Sequence, residues 1–407
     1  MRIAMVSEHA SPLAMLGGVD AGGQNVHVAS LASALGQRGA HVVVYTRRDS
    51  PELRHRVQLG PSVWVEHVDA GPPEPIAKDE LFVHMPEFAH HLSRALQQRR
   101  PDVVHGHFWM SGWAMLRAAA PLRIPTLQTF HALGSVKRAQ QGARDTSPPE
   151  RCAIEADIVR NVDLTLAESN EEVFELVRQG GDPNRIRVVP SGVDVQLFSP
   201  RGPSEPRGRG RPRYRVVVVS RLVERKGVGN VVTALADVPD TELVIAGGPA
   251  RAELATHSEA VRLMELAARA GVADRVELRG RLDHASVAAL YRSADVVVCA
   301  PWYEPFGLVA LEAMACGVPV VASAVGGLVD TVIDGLTGRM VPPRRPDVLA
   351  ATLRELLADP ATRRELGAAG VRRARTRYAW PNIAAETARA YHHAMVEHAG
   401  LAAVGVG

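Results

Sequence analysis

The run Ala294-Asp-Val-Val-Val-Cys-Ala300 is followed at once by Glu304-Pro-Phe-Gly-Leu-Val-Ala-Leu-Glu312. A strand with one wet face alternates apolar and polar residues. A near-continuous apolar run is covered on both faces, as in a parallel sheet flanked by helices. Pro305 and Gly307 end the strand. Leu308 to Cys316 then holds strong helix formers and neither Gly nor Pro. Glu304 is therefore on the loop at the strand's C-terminal end.

The same cadence runs through the chain. Ile3 to Val6 reads as a strand, then a glycine-rich turn from Gly17 to Gly23, then a helix over Gln24 to Gln37 with Val26, Leu31 and Leu35 on one face. Gly39 stops it and His41 to Thr46 is the next strand, a βαβ unit. Strands follow at Trp64 to Val68, Val103 to Gly106, Thr126 to Phe130, Leu164 to Glu168 and Arg187 to Val189. The helices between them fall at Leu81 to Gln98, Gly112 to Ala120, Pro149 to Asn161 and Glu171 to Gln179. A second series opens with Arg215 to Ser220 and a helix from Val228 to Ala236. It continues with strands at Glu242 to Ala246, Val276 to Arg279 and Val318 to Ala322. At 407 residues and 46% hydrophobic, the chain is long enough for two cores. The expected fold is α/β, two doubly wound parallel-sheet, Rossmann-like domains. The domains span 1–195 and 214–380, with a Pro/Gly/Arg-rich linker at 196–213 and a final helix, Asn382 to Glu397, in the segment 381–407.

In doubly wound sheets ligands collect at the C-terminal ends of the strands. Glu304 sits at such an end and Glu312 one helical turn further. The N–H groups of Phe306, Gly307 and Leu308 lie at a helix start, where the dipole favours an anion. Carboxylates accept hydrogen bonds from vicinal sugar hydroxyls, so a diphosphate between two carboxylates suits a sugar nucleotide. Arg221-Leu-Val-Glu-Arg-Lys-Gly227 follows another strand. There Arg221 and Lys226 are placed to share a diphosphate with the helix start. Gly22 and Gly23, at the head of the first helix, can bring backbone N–H groups to phosphate, although no G-x-G-x-x-G is spelled. Arg281 ends a strand beside this region and is assigned to the base. His9, His105, His107, His131 and Ser169 lie at strand ends in the first domain. The 47 basic residues include only three lysines, Lys78, Lys137 and Lys226. Each lysine is therefore a pointer to a role that a planar guanidinium does not serve.

The string Glu304-Pro-Phe-Gly-Leu-Val-Ala-Leu-Glu312-Ala-Met-Ala-Cys-Gly-Val-Pro resembles the E-x7-E segment of retaining glycosyltransferases of family four, and the resemblance covers almost the whole chain. It implies the GT-B arrangement, with two domains facing a cleft, the donor on the second and the acceptor on the first. It further implies that Glu304 binds the transferred sugar and Glu312 the ribose. Arg221 and Lys226 match the R-x4-K-G pair that neutralises the leaving nucleotide, and the Gly22–Gly23 loop faces the donor diphosphate. Thr129-Phe-His-Ala-Leu-Gly134 matches the strand-end histidine, so His131 would orient the donor sugar. Attack is from the front face, with the donor phosphate helping to take the acceptor proton, and the last helix crosses back to the first domain.

Within that family the first domain resembles the branch that joins N-acetylglucosamine to inositol phosphate in mycothiol synthesis. The match includes Ser7-Glu-His9, Asn25, Lys78, His107-Phe-Trp-Met-Ser-Gly112 and Arg151. In that branch Lys, Tyr, Thr and Arg hold the acceptor phosphate. Here Lys78 and Arg151 keep two positions, while Phe108 and Ala132 stand at the others without a side-chain donor. The expected acceptor is therefore a small polyhydroxylated cyclitol or sugar that is not inositol phosphate, bound by His9, Asn25, Lys78, Phe108 and Arg151. Lys78 and Arg151 argue the other way, for an anionic acceptor, and inositol phosphate stays as the alternative.

The expected enzyme moves glucose or N-acetylglucosamine from a UDP-linked donor, with no cofactor and no metal. Cations and dipoles already meet the diphosphate, and no D-x-D stands at a strand end. A formal charge of +3 gives no reason to invoke nucleic acid. The arginine run 201–213 allows a weak peripheral membrane contact, and a homodimer is compatible with the sequence. Three cysteines without paired spacing and no long apolar stretch point to the cytoplasm. A phosphorylase or epimerase on the same fold, and a non-catalytic sugar-nucleotide binder, remain as alternatives.

Overall fold

The computed structural model describes residues 1–14, 23–208 and 210–404, with side chains to residue 400 except that of residue 144. Two units are distinct: Met1–Gly192 with the chain from Trp380 onward, and Val193–Ala379.

The first unit holds β1 (Arg2–Val6), β2 (His41–Arg47), β3 (Arg56–Gly60), β4 (Val63–Val68), β5 (Val103–His107), β6 (Thr126–Thr129), β7 (Leu164–Ala167) and β8 (Ile186–Val188). They form one sheet in the order β3-β4-β2-β1-β5-β6-β7-β8. All pairs are parallel except β3 with β4. Both faces are covered, which accounts for the continuous apolar runs. Ala4 and Val6 of β1 enter one core with Phe88, Leu92 and Met115, while Ile3 and Met5 enter the other with Val28, Leu31 and Leu35. The final helix, Trp380–Val404, closes that second core with Ile383 and Tyr391. It extends beyond the 382–397 read from the sequence at both ends. The Tyr391 hydroxyl lies 2.9 Å from His105 Nδ1.

The second unit holds β9 (Tyr214–Val219), β10 (Thr241–Ala246), β11 (Val276–Gly280), β12 (Val296–Cys299), β13 (Val320–Ser323) and β14 (Gly338–Val341). The order is β11-β10-β9-β12-β13-β14, parallel throughout. Val216 and Val218 of β9 face one core and Val217 the other. The Pro/Gly/Arg segment, a linker by composition, is docked on this unit. Arg207 donates to the Ser293 carbonyl and to Asp295 at 2.8 Å, and Arg211 pairs with Glu277 at 3.3 Å. Two arginines of the proposed membrane-facing run are thus engaged with carboxylates of their own unit.

In each sheet the chain reverses its direction of winding at one seam, β1 beside β5 and β9 beside β12. A crevice opens there at the C-terminal ends of the strands. No helix among the described residues is long and apolar enough to cross a membrane.

Candidate active site

At the β9/β12 seam two turns are fastened together. Gly227, at φ 67°, heads the Val228–Leu235 helix, and a Cβ there would lie 1.9 Å from the Ala300 carbonyl oxygen. Only glycine tolerates both the left-handed backbone and that approach. The Trp302 N–H donates to the Arg225 carbonyl at 2.9 Å. The result is an ion pair between Lys226 Nζ and Glu304 Oε2, joining residues 78 apart in sequence. Arg221 stands exposed on the same turn.

Gly307, at φ 97°, caps the Leu308–Ala315 helix. The Phe306 side chain is core, packed with Leu311 and Leu328, so backbone is what it offers a ligand. Glu312 accepts a hydrogen bond from the buried Tyr291 hydroxyl at 3.0 Å. Burial raises its carboxyl to about 7. Arg281 is exposed beyond β11, its N–H bonded to the Pro249 carbonyl at 2.8 Å. It lies two strands away from the β9 turn.

At the β1/β5 seam Phe108 is the hub. It holds φ 81° at the start of the Trp109–Ala119 helix and is buried. His9 meets its ring edge-on at 4.8 Å, the Lys78 ammonium lies 5.6 Å from the ring centroid, and the Arg151 guanidinium lies 5.0 Å from it. Four of the five residues expected at the acceptor are therefore gathered on one aromatic ring. The fifth, Asn25, is buried with Nδ2 donating to the Ser11 carbonyl at 3.0 Å. Arg151 is held on several sides. It donates to Glu155 at 2.7 Å, to the Ala132 carbonyl at 2.6 Å and to Ser147 Oγ at 3.3 Å.

His131 takes a left-handed φ of 59° just past β6. Its ring turns inward, with Nδ1 3.4 Å from Glu168 and Nε2 3.1 Å from His107 Nδ1. Burial pushes the Glu168 carboxyl upward, but His131 and then His27 outweigh it and hold the group well below the usual carboxylate range. Burial pushes His107 and His27 down. Gly23 is the first residue of its helix. Gly22 and most of the glycine-rich loop lie outside the described residues.

Residues 21–197 match the model of Glycosyltransferase Family 4, and residues 205–373 that of Glycosyl transferases group 1. The chain is 38% identical over 411 residues to D-inositol 3-phosphate glycosyltransferase of Streptomyces bingchenggensis, covering 97% of this chain and 90% of that one. The chain belongs to the group 1 glycosyltransferases. Among solved structures, sucrose-phosphate synthase from Thermosynechococcus elongatus superposes with a TM-score of 0.86 at 33% identity, over 97% of this chain and 99% of that one. Anabaena HepE in complex with UDP gives 0.74 at 20% identity, over 96% and 99%. The fold is GT-B, and the protein is a nucleotide-sugar-dependent glycosyltransferase.

Several residues of this group 1 glycosyltransferase site were not read from sequence. Gly326 and Gly327 look like turn punctuation, yet a Cβ on Gly326 would lie 2.0 Å from the Glu304 carbonyl oxygen, and the Gly327 N–H donates to that oxygen at 2.9 Å. They seat the Glu304 loop from a different strand. Arg225 is a third cation, depressed by burial and by Arg221 and opposed by Glu304. Buried Glu8 holds His9 Nδ1 at 2.6 Å and accepts from the Ser111 hydroxyl. Its place beside His9, at the end of β1, was the available signal.

Proposed function

We propose that this chain transfers a hexosyl unit, glucose or N-acetylglucosamine, from a UDP-linked donor to a small polyhydroxylated acceptor, with retention at the anomeric carbon. The observation that carries the reading is the Lys226–Glu304 pair at the β9/β12 seam, beside Arg221, Arg225 and the Gly307 helix start.

An acceptor hydroxyl oxygen forms a bond to the anomeric carbon from the face the leaving group departs. The bond from that carbon to the phosphate oxygen breaks, its electron pair goes to the diphosphate, and the acceptor proton passes to the departing phosphate oxygen. Negative charge grows on that phosphate. In this reading Arg221 and Lys226 meet it together with the helix N–H groups of Phe306, Gly307 and Leu308. Glu304 takes sugar hydroxyls and fixes Lys226, and Glu312 takes the ribose. Arg281 borders the base, and the Gly22–Gly23 loop covers the diphosphate. His131 orients the sugar by exchanging His107 for a sugar hydroxyl at Nε2. His9, Asn25, Lys78, Phe108 and Arg151 bound the acceptor. We assign the reaction to the cytoplasm.

The acceptor reading favours an unphosphorylated polyol. Arg151 is 2% exposed and already donates to three protein acceptors, so an anion would have to compete for it. The relatives' name favours inositol 3-phosphate as the second reading. The test is incubation with UDP-glucose or UDP-N-acetylglucosamine, offering myo-inositol and inositol 3-phosphate separately, with products weighed by mass spectrometry and their anomeric configuration read from the proton NMR coupling. An acceptor-dependent hexosyl adduct with the donor's anomeric configuration supports transfer. Nucleotide release that ignores the acceptor overturns it.

A further inference from the structure

Behind the strand ends of the first unit lies a histidine cluster that the transfer chemistry uses only in part. His27, His107 and His131 each bring one ring nitrogen within 4.8 Å of the other two. The His107 and His131 rings stack with centroids 5.3 Å apart, and His27 meets His131 edge-on at 4.8 Å. His27 and His107 are buried.

One carboxylate serves two of these rings from behind. Glu168 lies 3.4 Å from Nδ1 of His27 and 3.4 Å from Nδ1 of His131, and Ser191 Oγ is 2.9 Å from His27 Nδ1. With Nδ1 engaged, Nε2 is the atom each of these rings has left to give. His107 offers Nδ1 to the cluster, and its far nitrogen, Nε2, is buried with no hydrogen-bond partner among the described residues. A carboxylate that receives the far N–H of a ligating imidazole is the usual support of a histidine metal site, where it fixes tautomer and ring direction.

The dimensions agree with this use. Zinc–nitrogen bonds of about 2.0–2.1 Å in tetrahedral geometry set ligand nitrogens about 3.4 Å apart. His107 Nδ1 and His131 Nε2 are already 3.1 Å apart. The widest separation, 4.8 Å, has to close by about 1.4 Å on binding. Three imidazoles without thiolate select zinc, nickel, cobalt or copper over magnesium or calcium.

We propose that His27, His107 and His131 form a binding site for a divalent transition-metal ion, supported by Glu168, and that occupancy inhibits sugar transfer. The inhibition rests on the reading that His131 Nε2 turns to the donor sugar, because a bound metal takes that nitrogen. The binding does not rest on it.

The test begins without any sugar nucleotide. Cobalt(II) titrated into the full chain should give the visible bands of a tetrahedral site, saturating at one ion per chain, and zinc should displace it. His27→Phe keeps a ring against Trp380 and should abolish both. Glu168→Gln should weaken zinc binding by about 10–100-fold. Circular dichroism of both variants establishes that they are folded. No stoichiometric binding, or binding unchanged in His27→Phe, overturns the site. With activity established, zinc should inhibit the wild type reversibly to chelator and leave His27→Phe active. Stoichiometric, His27-dependent binding without inhibition overturns the regulatory part.

Discussion

Replacing Glu312 with Gln should make the protein more stable at alkaline pH and change little at acid pH. Burial raises this carboxyl from 4.5 to about 7. The folded chain therefore holds the proton more tightly than the unfolded chain. The group's contribution is fully present below about pH 4.5 and is lost as pH rises towards 7. At about 1.4 kcal/mol per pKa unit, the span is worth at most about 3.4 kcal/mol. Glu312 keeps part of its surface open, so about 2–3 kcal/mol between pH 5 and 8 is the working figure. Gln still accepts the Tyr291 hydroxyl through its carbonyl and carries no charge. In a unit of this size, 2–3 kcal/mol is about 4–12 °C in Tm. Calorimetric scans of both proteins from pH 5 to 8.5 should show Tm of the variant overtaking the wild type as pH rises. A difference that is flat with pH, or that grows in favour of the wild type, refutes the reasoning. The nucleotide provides a second reading. Ribose hydroxyls donate to the ionised carboxylate, so uridine should bind the wild type more tightly as pH rises through 7 and bind the variant without that trend.

Lys226→Ala and Arg221→Ala should each lower turnover by about 100- to 1,000-fold and leave uridine affinity nearly unchanged, because the charge they meet develops in the transition state. Steady-state kinetics with calorimetry decides it, and near-normal turnover in both variants removes the assignment. Gly326→Ala places a Cβ into the Glu304 carbonyl at a left-handed backbone position and should cost about 100-fold in kcat with the far-ultraviolet circular dichroism unchanged. Phe108→Tyr combined with Ala132→Thr should raise kcat/KM for inositol 3-phosphate relative to myo-inositol by at least about tenfold, since one hydrogen bond to a charged group contributes about 1.5–3 kcal/mol.

The buried parallel strands were legible because burial on both faces writes a continuous apolar run, as at Val296–Cys299 and Leu164–Ala167. Arg56–Gly60 was not, since it is an antiparallel edge strand without a buried residue. Gly338–Val341 was not either, because two of its four residues are half-open and its glycine reads as a turn. The donor residues stood out because Glu304 and Glu312 are close in sequence and Lys226 is one of three lysines. What escaped was tertiary. Gly326 reaches Glu304 from the far end of a neighbouring strand, and Glu168 reaches His131 across 37 residues. No local pattern encodes either meeting. The arginine run shows the same limit: composition shows five arginines, and only the fold shows that Arg207 and Arg211 face Asp295 and Glu277.

The helix from Trp380 to Val404 belongs to the unit that begins at Met1, and the whole of the other unit is encoded between them. On a ribosome this fixes an order of events. Residues 1–192 emerge first, yet Ile3, Met5 and Leu31 lack the cover of Ile383 and Tyr391 until about 190 further residues have been made, roughly 10–40 s at ordinary elongation rates. The later unit has all its strands in hand before the earlier one can close. Nascent chains halted short of Trp380 should therefore carry a folded second unit and a first unit whose open core is the surface that chaperones engage.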